Sequence, residues 1–189
     1  MRERRKIARL MFYFPIFLLK NLVFLLAFRL ISYDAKRLSM QFKSGNLFEA
    51  GTQALVNAVN TDGVMGKGIA LQFKQRFPEN FKAYAAACKR NEVVIGKMFV
   101  FHEETTTGEV IIINFPTKKT WRRKSEYSFI EAGLPALVDI IKQENISSIA
   151  IPPLGCGNGG LQWEQVKPMI EKYLSPLKEV DVQVFEPVS

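Results

Sequence analysis

From Met40 onward the sequence switches repeatedly between short runs of β-branched residues and stretches whose apolar residues recur at helical spacing, and this change of period narrows the fold class more than any other feature. Residues 41–43 and 54–59 read as strands on either side of the turn-rich SGNLFEAGTQ. In residues 68–90 Ile69, Phe73, Phe77, Phe81 and Tyr84 follow a helical repeat, and Pro78 divides the stretch into two helices. Strands are expected at 97–101 and 109–115, joined through TTTGE. A long helix over 125–144, with Ser125 as its N-cap, carries Phe129, Leu134, Leu137, Ile140 and Ile141 on one face. A strand at 148–152, a helix at 162–173 and a last strand at 180–185 complete the series. Strands alternating with helices specify an α/β layered domain, and such sheets take their ligands beyond the carboxyl ends of the strands.

The chain has 189 residues, which suits one core better than two. Its net charge of +8 would favour an acidic partner if it were spread evenly. It is concentrated at one end: residues 1–39 hold nine Lys/Arg against Glu3 and Asp34, whereas residues 40–189 hold 17 basic and 16 acidic residues. Whole-chain charge is therefore no argument for nucleic-acid binding by the folded part. Cys88, Cys156 and the sole histidine, His102, are scattered, so neither a disulfide framework nor a Cys/His metal centre is expected. A reducing, cytoplasmic setting follows as the default.

Residues 1–39 form an extension, basic over 1–9 and apolar over 10–32 apart from Lys20, Asn21, Arg29 and Ser32. Three readings fit it: a membrane anchor, an interfacial helix, or translated sequence upstream of a start at Met40. The anchor has Lys20 against it, since a mid-membrane lysine costs about 2.5–3.5 kcal/mol. Membrane association is expected only if residues 10–32 insert. The domain boundary is accordingly placed between 39 and 40, with residues 40–189 as the folded domain.

Three segments follow expected strands and hold the unusual polar and glycine residues: NAVNTDGVMGKGIA (57–70), NFPTKKTWRRK (114–124) and PPLGCGNGGLQW (153–163). Gly63, Gly66 and Gly68 precede a helix, as do Gly155, Gly157, Gly159 and Gly160. Glycine lets backbone N–H groups turn toward a ligand, and a helix N-terminus adds positive partial charge, so both loops suit phosphate. Neither is a P-loop or a dinucleotide fingerprint. Two such loops in a short chain point to a diphosphate held between them.

These segments carry a resemblance. GNLFEAGTQALVNAVNTDGVMGKGIALQFKQRFPENF, INFPTKKTWR and IPPLGCGNGGLQW, in this order, resemble the macrodomain family over about residues 40–187, and within it the branch of DNA ADP-ribosyl glycohydrolase antitoxins. The resemblance implies a three-layer α/β/α fold with a mixed central sheet and a cleft for ADP-ribose. Protein-directed hydrolases of the family carry a glycine run followed by Val-Asp in the first loop, where this chain has Met65-Gly66-Lys67-Gly68-Ile69. The animal terminal ADP-ribose glycohydrolase pairs a lysine in Thr-Lys-Lys with an aspartate in the second loop. Here Thr117-Lys118-Lys119 keeps the lysine, and Gly159 stands at the aspartate's place, as in the DNA-directed branch.

By that resemblance Lys118 carries the chemistry and Asn60 holds the ribose next to the scissile bond. N-glycosidic cleavage builds positive charge on the sugar, and a desolvated lysine serves it as acid/base or as Schiff-base nucleophile; both roles stand open. The ADP-ribose site is expected to use Asn46, which can accept from adenine, with Thr61, Gly66, Gly68, Ile69 and Thr117, and with Gly155, Cys156, Gly157, Asn158, Gly159 and Gly160 of the second loop. Read from the residues alone, Lys118 is a solvated loop lysine of the basic run and Asn60 can cap a turn, and Cys156 is a small filler rather than a nucleophile; it is the resemblance that turns Lys118 toward catalysis. Phe73, Phe77, Phe81 and Trp163 read as core and His102 as surface. The run from Lys118 to Lys124 offers Trp121, Arg122 and Arg123 as contacts to DNA, through a stacked base and phosphates.

The reading is thus an enzyme that removes ADP-ribose from thymine in single-stranded DNA, with no cofactor and no metal, and with a cognate ADP-ribosyltransferase toxin as partner. The alternatives are a non-catalytic reader of ADP-ribose, and a hydrolase of ADP-ribosylated protein or O-acetyl-ADP-ribose.

Overall fold

The computed structural model describes residues 40–106 and 108–187. The readings of the N-terminal extension lie outside the described residues. Among the described residues no helix is long and apolar enough to cross a membrane.

Six strands form one mixed sheet: β1 (Gln41–Lys43), β2 (Ala54–Asn60), β3 (Phe99–Thr105), β4 (Gly108–Lys118), β5 (Ser148–Ile151) and β6 (Asp181–Phe185). Their order is β1-β6-β5-β2-β4-β3, with every neighbouring pair parallel except the β3–β4 hairpin. Four helices flank the sheet: α1 (Gly68–Arg76), α2 (Pro78–Lys89), α3 (Tyr127–Gln143) and α4 (Trp163–Leu174). This is the three-layer arrangement expected.

The two-residue period of the strands sorts the core into two faces. Ala54 and Val56 of β2, Ile111, Ile113 and Phe115 of β4, and Ile149 and Ile151 of β5 pack with Ile130, Leu134, Leu137 and Ile141 of α3 and Val166, Ile170 and Leu174 of α4. The alternate residues turn the other way: Leu55 and Ile112 meet Phe73 and Phe77, and Val59 meets Met65, Ala70, Tyr84, Ala87 and Cys88. Full burial of one such aliphatic side chain contributes about 1.5–3 kcal/mol, so the central strands, closed on both faces, anchor the domain. Gly133 in α3 lies against the Phe115 ring, where any Cβ would collide with it. Phe73 and Phe77 are buried as expected, and Phe81 and Trp163 are half-buried against the same clusters.

The α1–α2 face also encloses a chain of amides. Asn57 Nδ2 donates to Asn114 Oδ1 (3.0 Å), Asn114 Nδ2 donates to Asn80 Oδ1 (2.7 Å), and the Asn80 backbone N–H donates to Glu103 Oε2 (2.8 Å). Glu103 thereby serves the first turn of α2 from the neighbouring strand.

The strand expected at 97–101 runs instead from Phe99 to Thr105, and two further boundaries that bear on the cleft differ from the sequence reading. The long helix begins at Tyr127, with Glu126 rather than Ser125 at the N-cap and no side-chain cap. Ser125 is buried against the loop after β5, its N–H donating to the Gly159 carbonyl (3.0 Å), and stands one residue ahead of the N-cap position. Strand β4 runs on past Phe115 through Pro116 and Thr117 to Lys118. The register explains how: Val59 pairs with Pro116 but Asn60 with Lys118, so Thr117 is the extra residue of a β-bulge. Bulges are where a strand accommodates proline and re-aims a side chain.

Candidate functional site

All five parallel strands deliver their carboxyl ends to one cleft of about 1200 Å³. Ser44 to Leu47 enter it after β1, Phe185 to Pro187 at and after β6, Pro152, Pro153, Gly155 and Gly157 to Gly159 after β5, Asn60, Val64 and Gly66 to Ala70 at and after β2, and Lys118, Trp121 and Arg122 at and after β4. Five strands at roughly 4.8 Å spacing span about 19 Å, which suits an elongated ligand with two distinct ends.

Strand order gives the cleft its polarity. β5 and β2 are neighbours in the middle of the row, so the two glycine loops meet at its centre. Gly68, at φ +58°, brings the start of α1 so close to the second loop that a Cβ there would stand 2.6 Å from Asn158 Nδ2. The N-terminus of α1 therefore faces the loop after β5, and both present backbone to the cleft. The β1–β6 end is lined by Asn46, Leu47 and Phe185, and the β4 end by Asn60, Lys118 and Trp121.

At the β4 end, Lys118 is the last strand residue, half-buried rather than in a loop, and its Nζ donates to the Asn158 carbonyl across the cleft. Burial holds its pKa below the ordinary 10.5, because desolvation disfavours the ammonium. Thr117, buried beneath it, donates its hydroxyl to the Val59 carbonyl (3.3 Å) and fixes the bulge.

Asn60 does what a turn-organising asparagine does, on the wall of the cleft. Its Oδ1 accepts from the Asp62 N–H (3.0 Å) and the Val64 N–H (3.3 Å), and its Nδ2 donates to the Val64 carbonyl (2.6 Å). One N–H of the amide is left for a ligand. Behind it the buried Tyr84 hydroxyl donates to the Asn60 backbone carbonyl (2.6 Å), and burial raises the Tyr84 pKa far above that of a free phenol. At the other end Asn46 caps a 3-10 turn, Leu47–Glu49: its Oδ1 accepts from Phe48 N–H (3.1 Å) and its Nδ2 donates to Glu49 (2.7 Å). One lone pair of Oδ1 stays free to accept a further hydrogen bond.

Of the residues expected in the site, Asn46, Asn60, Gly66, Gly68, Ile69, Thr117, Lys118, Trp121, Arg122, Gly155, Gly157, Asn158 and Gly159 line the cleft. Thr61, Cys156, Gly160 and Arg123 do not. Thr61 turns away because its N–H (3.3 Å) and hydroxyl (2.7 Å) both donate to the Lys119 carbonyl. Cys156 donates its thiol to the Leu154 carbonyl (3.5 Å) and burial pushes its pKa up to about 11, as befits a filler. Gly160 faces the Lys124 stem, and Arg123 is exposed outside the wall. The sequence reading missed Ser44, Gly45 and Phe185 to Pro187, although the carboxyl-end rule applied to the first and last strands would have found them. It also missed Val64, and Asp62, whose carboxylate accepts the Trp121 N–H (3.1 Å) and ties the first loop to the basic run. His102 is a surface residue, between Glu109 and Glu144. No group of three His, Cys, Asp or Glu able to hold a metal occurs among the described residues.

The Macro domain family model matches residues 56–170. A Mycobacterium tuberculosis protein named DNA ADP-ribosyl glycohydrolase is 54% identical over 146 residues, covering 77% of this chain and 42% of that protein. The solved macrodomain of Mycobacterium tuberculosis DarG is 53% identical with a TM-score of 0.77, covering 79% of this chain and 98% of that one. A Thermosipho africanus protein named as a fusion of DNA ADP-ribosyl transferase and DNA ADP-ribosyl glycohydrolase is 37% identical, over 79% of this chain and 42% of that protein. The structure of Thermosipho africanus DarTG in complex with ADP-ribose gives a TM-score of 0.75 at 37% identity, with the same coverage. The chain thus spans about two-fifths of the length of these curated relatives. With the family model matched through the central strands and both glycine loops, and a solved macrodomain superposing over nearly its whole length, the chain belongs to the macrodomain family.

Proposed function

We propose that this macrodomain binds ADP-ribose along the strand ends and removes it from thymine in modified single-stranded DNA, with Lys118 as the catalytic residue. The observation that carries the reading is the placement of Lys118: the bulge at Thr117 sets a desolvated amine at the end of the cleft remote from Asn46, beside an exposed basic run. The adenosine half is assigned to the β1–β6 end with Asn46 as acceptor, the diphosphate to the facing glycine loops and the start of α1, and the distal ribose to Asn60. Relatives named DNA ADP-ribosyl glycohydrolase, and the DarTG complex with ADP-ribose, support this assignment. The transferase–glycohydrolase fusion supports an ADP-ribosyltransferase toxin as the cognate partner.

Desolvation favours the neutral amine, which can either take the proton of a water that adds to C1″ as the C1″–N bond to thymine breaks, or itself add to C1″ of the opened ribose; thymine then leaves with a proton and water hydrolyses the lysine imine to free ADP-ribose. Uniform binding of the diphosphate by backbone donors leaves Lys118 to act mainly in the transition state. Lys118→Ala is therefore expected to lower release of ADP-ribose from a modified oligonucleotide by about 10²–10⁴-fold. Its affinity for free ADP-ribose should stay within about tenfold of the parent, by calorimetry. Lys119→Ala removes the adjacent exposed charge and is the control. A parent chain that binds ADP-ribose yet releases none from DNA or protein would make the domain a reader. The pH profile tests the neutral amine: kcat/KM should rise with pH through a midpoint below the 10.5 of an ordinary lysine, since protonation removes the active form. A falling limb there would assign Lys118 the role of acid.

A further inference from the structure

Three large apolar side chains are exposed among the described residues: Val64 (37%), Val94 (45%) and Trp121 (51%). Two of them, Val64 and Trp121, line the cleft, on the loops that follow Asn60 and Lys118. These loops are joined by hydrogen bonds from Trp121 N–H to Asp62 (3.1 Å) and from the Thr61 hydroxyl to the Lys119 carbonyl (2.7 Å), and Asn60 grips Val64 at both its N–H and its carbonyl. The two side chains therefore keep a fixed relation to each other and to the amine. The Arg122 guanidinium lies 4.7 Å over the Trp121 ring, holding the half-exposed indole in place. Ribose hydroxyls and phosphates give no reason for an indole and an isopropyl group in water at this position. A flat uncharged ring does, and the exposed Lys119, Arg123 and Lys124 alongside match the phosphates that would flank it.

We infer that Val64 and Trp121 form a clamp for the nucleobase on the far side of the bond cleaved at Lys118, with Trp121 stacking on the ring and Val64 meeting its edge, where the thymine methyl is the apolar feature. This rests on the glycohydrolase reading above and adds the residues that select the leaving base.

The test uses the full chain, an oligonucleotide carrying ADP-ribose on one thymine, and free ADP-ribose. Trp121→Ala should lower kcat/KM on the oligonucleotide by about tenfold or more, expressed mainly in KM, as loss of base stacking does. Trp121→Phe should recover most of the loss, Val64→Ser should cost about threefold, and Val94→Ser should match the parent. Affinity for free ADP-ribose should be unchanged within about twofold in all four variants, because the base lies outside that ligand. Trp121→Ala with parental kcat/KM overturns the clamp, and so does a parallel loss of ADP-ribose affinity, which would place Trp121 in the nucleotide site. An equal loss in Val94→Ser would also overturn it by showing a general surface effect. A parent that releases nothing from the oligonucleotide overturns the glycohydrolase reading and the clamp with it, whereas an indifferent Trp121→Ala beside an active parent overturns the clamp alone.

Discussion

The loop after β2 is held by side chains, and the loop after β5 by its own backbone. In the first, Asn60 bonds Asp62 and Val64, Tyr84 bonds Asn60, Asp62 bonds Trp121, and Met65 is buried among α1 and α2 side chains. In the second, Cys156 N–H donates to the Pro153 carbonyl, Gly160 N–H to Gly157, Leu161 N–H to Gly155 and Ser125 N–H to Gly159, each at 3.0 Å. Gly155 (φ +73°) supplies a conformation that other residues strain to adopt, and Gly159 has no room for a Cβ between the Gly155 carbonyl and Ser125 Oγ. Two loops sharing one ligand region are thus vulnerable in opposite ways: the first to deletion of polar atoms, the second to addition of a single carbon.

The largest effect should come from adding that carbon. Gly159→Ala forces backbone against backbone, which no rotamer change relieves, and is expected to destabilise the domain by about 1–3 kcal/mol or more. ADP-ribose affinity should fall by about 100-fold, read by thermal unfolding and calorimetry on the same sample. Parental affinity would mean that the loop after β5 re-forms around a side chain, and the contrast between the loops would lose its basis.

Next in size is Tyr84→Phe, which removes only the hydroxyl beneath Asn60. With Asn60 nearly buried, its carbonyl loses a hydrogen bond at a cost of about 1–3 kcal/mol. Urea unfolding should show the loss, and KM for the modified oligonucleotide should rise more than kcat falls, because Asn60 is displaced while Lys118 is untouched. An unchanged KM would confine Tyr84 to the core.

Smallest is Gly157→Ala. Gly157 lines the cleft, no atom lies within 4 Å of a Cβ built there, and its φ is not in the left-handed region. Affinity should change by about threefold at most. Gly157→Glu, by contrast, puts a carboxylate where the diphosphate is assigned and should abolish binding in a folded domain. Together the pair separates crowding of the backbone from blockage of the ligand.

The glycine loops and the lysine segment were legible in the chain because two glycine clusters each stand between an expected strand and an expected helix, and because the strand ends of an α/β sheet are where ligands go. What could not be read was which atoms face the ligand. Thr61, adjacent to Asn60, turns away because the Lys119 carbonyl, 58 residues along the chain, takes both its donors. Ser125 carries the local mark of an N-cap, yet its N–H is engaged by Gly159 from the loop after β5. Local propensity gives way where a tertiary contact fixes the residue somewhere else.

The alternation of β-branched runs with helical spacing determined the layers, and the breaks at Pro78 and the glycine clusters determined where elements end and ligands enter. Those features act through steric and hydrophobic rules that operate over a few residues. Strand order is different in kind: only the folded sheet puts β5 beside β2, so that the two glycine loops meet, and only the register slip at Thr117 carries Lys118 to the mouth of the cleft. The amide chain of Asn57, Asn114 and Asn80 arose the same way, from three segments that read as ordinary strand and helix until packing buried them together. Hydrogen bonds between distant residues are chosen by which groups the assembled layers shut away from water, and that choice is made by the tertiary structure.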